Sequence, residues 1–202
     1  MYIKEGAILA RVNADPNDLD PRVRKSREAV LSSAVALFVA GGPRSVTIEA
    51  VSESSGVAKT TIYRHWNDRA HLLADTYRAC LPEMNHPESS LLPQDGLREV
   101  VQSLVLGMGS YPTRQALPHL IATPLDPVES EALPPEILDQ TFAPLVRAIE
   151  GCVTFGLIAE DTDIAEAKHQ LVGFIVMSAL DAECRMDEAL ANRAIDLFLN
   201  SR

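Results

Sequence analysis

Between Thr47 and Leu73 the chain reads TIEAVSESSGVAKTTIYRHWNDRAHLL, and the side chains best suited to gripping a polyanion gather there. Lys59, Thr60, Thr61, Tyr63 and Arg64 supply two cations, two hydroxyls and a phenol within one short run. At a helical 100° per residue, Ala58, Ile62 and Trp66 fall on one stripe, while Thr60 and Arg64 point away from it. Lys59, Thr61 and Tyr63 flank that outward face. Groups of this kind hydrogen-bond to phosphates and to base edges. Charged helix faces are also common on helical hairpins that bind nothing, so the pattern alone leaves both readings standing.

The elements that must hold this face are legible around it. Thr47 is placed to cap a helix over Ile48–Glu53, with Glu49 in the first turn, where the helix dipole favours negative charge. Ser54-Ser55-Gly56 breaks that helix, because glycine takes the left-handed backbone at no steric cost. A second helix over Ala58–Trp66 follows, and the pair matches a helix-turn-helix. Upstream, Asp20 caps and Pro21 starts a longer helix. Its buried stripe is Val30, Ala34, Leu37 and Phe38, and Gly41-Gly42-Pro43 ends it. Arg22, Arg24, Lys25 and Arg27 crowd its opening turns against the helix dipole, which points to phosphates rather than to helix stability. Downstream, Asn67 is the expected cap of a fourth helix reaching about Cys80, with Arg69 in its first turn and His71 on its surface. Residues 1–20 read as a loosely packed arm with turn chemistry at Asp15-Pro16-Asn17-Asp18.

The 202 residues carry a net charge of −10, which speaks against nucleic acid when taken whole. The distribution of that charge points the other way. Residues 22–79 hold nine Lys/Arg against five Asp/Glu, whereas residues 80–202 hold seven against nineteen. A basic module on an acidic body leaves one end competent to approach DNA. No apolar run approaches the ~20 residues needed to span a bilayer. The first residues make a poor signal peptide, so the protein reads as cytoplasmic. Cys80, Cys152 and Cys184 are an odd number at unrelated spacings, which does not fit a disulfide framework. The five histidines form no HExxH, the cysteines no CxxC, and GxSxG, GxGxxG and GxxxxGK[ST] are missing. No metal, cofactor or catalytic residue is therefore expected. Gly107-Met108-Gly109 reads as helix packing.

From Arg22 to about Leu73 the chain resembles the DNA-binding domain of the TetR family of bacterial transcriptional regulators. The match rests on Ala34, Leu37, Phe38, Gly41 and Gly42, then on Thr47, Ile48, Ala50 and Val51. It continues through Ser55-Gly56-Val57, Lys59, Thr61, Ile62, Tyr63, His65 and Trp66, with Arg69 and Leu72 after them. Ala58 departs from the pattern, since the family often has Ser there, and the recognition helix is left without a side-chain cap. The resemblance implies an operator-DNA reader, a repressor released by a small molecule. Lys59, Thr60, Thr61, Tyr63, Arg64 and His65 would meet DNA, and Arg22, Arg24, Arg27, Thr47 and Arg69 would lie toward phosphates. A weaker resemblance, at Ala148…Gly156-Leu157…Asp161…Asp163, is to the junction of the seventh and eighth helices in such proteins.

The expected architecture is all-α: residues 1–20 an arm, 21–67 a three-helix head, and 68–202 a six-helix body for ligand binding and dimerisation. In the body, Leu97, Val100, Val101, Leu104, Val105 and Met108 form one apolar stripe. A short helix fits around Arg114–Ala122, and another runs from Pro134-Pro135 to about Gly156 with a kink expected at Pro144. Asp163 and Asp187 cap the last two helices. Their stripes, Leu171, Phe174, Ile175, Ser178 and Leu190, Ala194, Ile195, Phe198, point to a four-helix homodimer interface, or to packing within one chain. The ligand site is expected near Pro144, walled by Leu104, Met108, Phe142, Leu145 and Phe174, with Ile149 a further candidate. Tyr111, Arg114, His119, Thr141 and His169 are the polar groups expected to orient a small hydrophobic molecule. Two other functions fit the same pattern: a ligand-independent dimeric DNA-binding protein, and an enzyme that has kept a helix-turn-helix.

Overall fold

The computed structural model describes residues 21–86, 92–122 and 133–200. The expected arm, the turn at Asp15–Asp18, the Asp20 cap and part of the expected 82–94 loop lie outside them. All regular structure among the described residues is helical. In chain order the helices are α1 (Pro21–Gly41), α2 (Ile48–Ser55), α3 (Lys59–His65), α4 (Arg69–Cys80), α5 (Pro93–Gly109), α6 (Thr113–Ala122), α7 (Pro135–Thr154), α8 (Ile164–Leu180) and α9 (Glu188–Asn200). A 3-10 turn, Pro43–Ser45, precedes α2. None is long and apolar enough to cross a membrane.

The chain divides into two compact units. In the described residues the first comprises 21–80, 115–122 and 133–137, and the second 81–86, 92–114 and 138–200. In the first unit α1 packs against α2, α3 and α4. α4, placed by sequence with the body, belongs to this unit because it buries Leu72, Leu73, Thr76 and Tyr77. The α1 core is wider than the expected stripe: Val30, Leu31, Ala34, Val35 and Phe38 are buried, and Leu37 only half so. A helix in contact with three neighbours needs more than one narrow apolar row.

Capping follows the sequence closely with one exception. Thr47 Oγ1 accepts from Ala50 N at 3.1 Å, and α2 runs two residues further than expected before Gly56 takes φ 69°. Asp163 Oδ1 accepts from Ala165 N and Glu166 N, and Asp187 Oδ1 from Leu190 N. For α4 the cap is Asp68, not Asn67: its carboxylate accepts from His71 N at 2.9 Å and also meets His71 Nδ1. The His71 backbone N–H first, and then its ring, hold the Asp68 carboxyl below its usual value.

In the second unit α5 packs against α9 and α8, and α8 against α9. Gly107 and Gly109 let α5 come close to its neighbours. A Cβ at Gly107 would stand 2.9 Å from Pro82 Cβ, and one at Gly109 would stand 2.5 Å from Met186 Cβ. α7 continues as one helix through Pro144.

Candidate nucleic-acid interface

α3 is seven residues long and owes its place to what it buries. Ile62 is fully buried and Trp66, its C-terminal cap residue, is 2% exposed. Trp66 Nε1 donates to Asp75 Oδ2 on α4 at 2.9 Å. With that side fixed, Lys59, Thr60, Tyr63 and Arg64 are exposed, and Thr61 and His65 half-buried. Ala58 is not part of the buried stripe: it is the N-cap residue, extended at ψ 141° and exposed, because the helix begins one residue later. Lys59 Nζ meets Glu49 Oε1 across the α2–α3 turn at 2.7 Å. This hydrogen bond lowers the Glu49 carboxyl and raises the Lys59 ammonium relative to their ordinary values.

Behind the face lies a seam organised by Asp75. Besides Trp66, its carboxylate meets Arg78 at 3.0 Å and Arg27 at 3.6 Å, and the Arg27 guanidinium lies 5.7 Å from the Trp66 ring centroid. The Arg27 side chain is only 13% exposed. It is thus a strut between α1, α3 and α4 rather than an outward phosphate ligand. Arg69 is also turned inward: Nε donates to Val46 O and Nη2 to Pro43 O, both at 2.6 Å. Those bonds satisfy carbonyls of the turn that delivers α2, so a phosphate-directed Arg69 is replaced by one that fastens backbone. Arg22 and Arg24 remain at the surface at the start of α1. Sequence reasoning missed Asp75, because an acidic residue on an amphipathic helix looks like any solvated one until three neighbours converge on it.

The ligand candidates scatter. Leu104, Met108, Phe142, Leu145 and Ile149 are buried in the second unit, with Tyr111 and Thr141 half-buried there. Arg114 is spent on the end of α8, donating from Nε to Ala179 O at 3.1 Å and from Nη2 to Asp181 O at 2.8 Å. A helix C-terminus has carbonyls without helical partners, and a guanidinium satisfies two of them. His119 belongs to the first unit, its ring edge-on to Phe38 at 5.8 Å, and His169 is exposed on α8. Phe174 lines a groove of about 270 Å³ with Gln170, Leu171, Ala194, Leu197 and Phe198. Thr113, not singled out from sequence, is fully buried, and among the described residues its Oγ1 has no hydrogen-bond partner.

The expected dimer stripes are corrected as well. Leu171, Ile175, Leu190, Ala194, Ile195 and Phe198 are buried within the chain, because α8 and α9 pack on each other and on α5. Phe174 and Ser178 are half-buried. On α8 and α9 the large apolar side chains still in solvent are Met177, Leu197 and Leu180, at 67%, 59% and 44% exposure.

The family model for bacterial regulatory proteins of the tetR family matches residues 30–76, which run from the middle of α1 to α4. The helix-turn-helix segment of this chain is of the TetR type. Among curated relatives, an uncharacterized HTH-type transcriptional regulator of Bacillus subtilis, YdeS, is 33% identical over 28% of this chain and 29% of its own length. Another from Pseudomonas putida, TtgW, is 26% identical over 42% of this chain and 61% of its own. The chain thus matches less than two thirds of either relative. Among solved structures, the transcriptional regulator FadR from Bacillus subtilis in complex with stearoyl-CoA has a TM-score of 0.63 at 16% identity, covering 87% of this chain and 99% of that one. A TetR transcriptional regulator from Agrobacterium tumefaciens has a TM-score of 0.60 at 19% identity, covering 90% and 94%. At those identities the likeness is one of fold. It extends over 87–90% of this chain, whereas the family model matches residues 30–76.

Proposed function

We propose that the protein is a dimeric, sequence-specific DNA-binding repressor that a small hydrophobic molecule releases from its operator. The observation that carries the DNA reading is the exposed α3 face, Lys59, Thr60, Tyr63 and Arg64, on a helix pinned from behind by Ile62 and Trp66. Thr61 and His65 border it. Arg22, Arg24 and Thr47 sit where phosphates would be met, while Arg27 and Arg69 act from inside. Lys59 leaves Glu49 for the DNA on binding. The family is one of regulators, and no catalytic step is invoked.

Dimerisation is assigned to the solvent-facing apolar groups of α8 and α9, Phe174, Met177, Leu180 and Leu197, with the groove at Leu171 and Phe198 continuing them. A two-fold dimer places two α3 helices on half-sites one helical turn, or a multiple, apart. The effector site is assigned to the second unit among Leu104, Met108, Phe142 and Leu145, with Tyr111, Thr141 and Thr113 for polar contacts. A buried hydroxyl left without a partner costs about 1–3 kcal/mol, and a ligand that bonds to Thr113 would recover it. The fold neighbour solved with stearoyl-CoA supports an apolar effector. Release is a population shift, bounded by the effector's differential affinity for the two states.

Selection of bound duplexes from a random pool tests the DNA reading, and native mass spectrometry of the purified protein tests the effector. Recovery of a two-fold site and of a bound lipid-like mass is expected. A pool that never enriches would overturn the DNA assignment. An enriched site with no ligand, and no release by stearoyl-CoA or other hydrophobic probes, would leave a ligand-independent regulator.

A further inference from the structure

The turn between α1 and α2 is five residues, 42–46, and it alone separates the α1 terminus from Thr47, the residue that starts the helix-turn-helix. It is fastened from several directions. Gly42 N donates to Phe38 O at 2.8 Å, and Ser45 Oγ lies 2.6 Å from Leu37 O and 2.7 Å from Gly42 O. Arg69 of α4 holds Pro43 O and Val46 O. A further support is His119 of α6. Gly42 is buried with φ 70°, and a Cβ placed on it would come within 2.9 Å of His119 Nδ1. Position 42 therefore needs glycine twice over, for the backbone angle and to leave the space the imidazole fills. The ring also stands edge-on to Phe38, which is itself edge-on to Tyr77 of α4 at 5.3 Å. One aromatic column thus joins α6, α1 and α4 under the turn.

We propose that His119 is a positioning residue for DNA reading: its ring, seated on Gly42 and Phe38, sets the turn that places Thr47, α2 and hence α3. All of these residues lie in the first unit, so the inference concerns how that unit holds its own reading head. His119 touches no DNA. Its loss lets Gly42–Val46 shift, and the displacement passes through the Thr47 cap to α2 and then to the packed α2–α3 pair. The ring is half-buried, and its removal takes away the packing that covers the buried Gly42 and Phe38 on that side.

The inference rests on the DNA-reading proposal, and the experiment keeps the two apart. The duplex selected by the wild-type protein is titrated with wild type, His119→Ala and His119→Phe at several salt concentrations, and amide exchange is followed across residues 42–47 in each. For His119→Ala we expect the affinity for the selected duplex to fall on the order of tenfold. Affinity for an unrelated duplex and the salt slope should stay as in wild type, since no phosphate contact is removed. Exchange at Val46 and Thr47 should speed up, and His119→Phe should restore both readouts through its ring. A structural loss alone would lower thermal stability without narrowing the gap between selected and unrelated DNA. Unchanged discrimination in His119→Ala, or equal impairment of the Ala and Phe variants, overturns the proposal. A wild type that selects no duplex refutes the DNA reading instead, and unaltered exchange in His119→Ala then removes the positioning role as well.

Discussion

α3 keeps two cations, one hydroxyl and a phenol exposed to solvent on seven residues, with Thr61 half-buried beside them, anchored by Ile62 and Trp66. α8 and α9, seventeen and thirteen residues long, bury most of their apolar groups inside the chain and still leave Phe174, Met177, Leu180 and Leu197 at the surface. The first surface is polar because every apolar group available is consumed in holding the helix down. The second is apolar because the helices carry more hydrophobic surface than one core accepts. A polar surface of this kind meets a polar, charged partner through oriented hydrogen bonds, whereas leftover apolar surface is stabilised by removal from water.

The contrast can be broken at its anchors first. Trp66→Ala removes the indole, the bond to Asp75 and the ring beneath Arg27. We expect about 3–5 kcal/mol of destabilisation by chemical denaturation, with loss of DNA binding. A variant that keeps both would show that α3 is not held from behind. On the apolar side, Leu197→Glu and Met177→Glu lie on exposed positions and should leave the fold intact. Size-exclusion chromatography should find monomers, and affinity for a two-fold site should fall by on the order of 100-fold or more as the second half-site becomes a separate event. A stable dimer in both variants would return α8 and α9 to the role of a covered core.

Single contacts on the reading face come next. Arg64→Ala should cost about 1–3 kcal/mol and relax preference at one base position. A uniform loss across sequences would move Arg64 to the backbone. Two arginines of α1 make a sharper pair. Arg22→Ala should lower the salt slope by about 0.9 while stability holds. Arg27→Ala should leave the slope alone and cost about 1–3 kcal/mol of stability, since it removes one of the three partners of Asp75 and the cation beside the Trp66 ring. If the two variants behave alike, the division between outward and inward cations fails.

The smallest effect concerns Glu49. Its carboxyl is lowered and Lys59 raised by their mutual hydrogen bond. The pair is therefore intact at neutral pH and is lost as pH falls through the lowered Glu49 value. Glu49→Gln frees Lys59 and removes a negative charge beside the DNA. Affinity should rise about two- to fivefold, within the range typical of an exposed pair. Weaker binding would mean that Glu49 orients Lys59 rather than competing for it.

Much of the local structure was written in single residues. Thr47, Gly56, Asp163 and Asp187 each announce a helix boundary through chemistry confined to three or four positions, and all four act as their residue types imply. The outward face of α3 was equally legible, because helical periodicity fixes which side chains oppose Ile62 and Trp66. Periodicity, however, reports that a face is buried and not what buries it. That is why Ile175, Leu190 and Ile195, assigned to a partner, lie in the chain's own core, and why the surplus surface moved to Met177 and Leu197. Long cations were the hardest to assign. Arg27, Arg69 and Arg114 each end on a carboxylate or carbonyl supplied by a different element, up to 67 residues away in the chain. A guanidinium reaches several ångströms from its own helix, so its partner is chosen by tertiary packing. Asp75, His119 and Thr113 owe their roles to the same cause, since only the assembled helices decide which neighbour each polar group finds or fails to find.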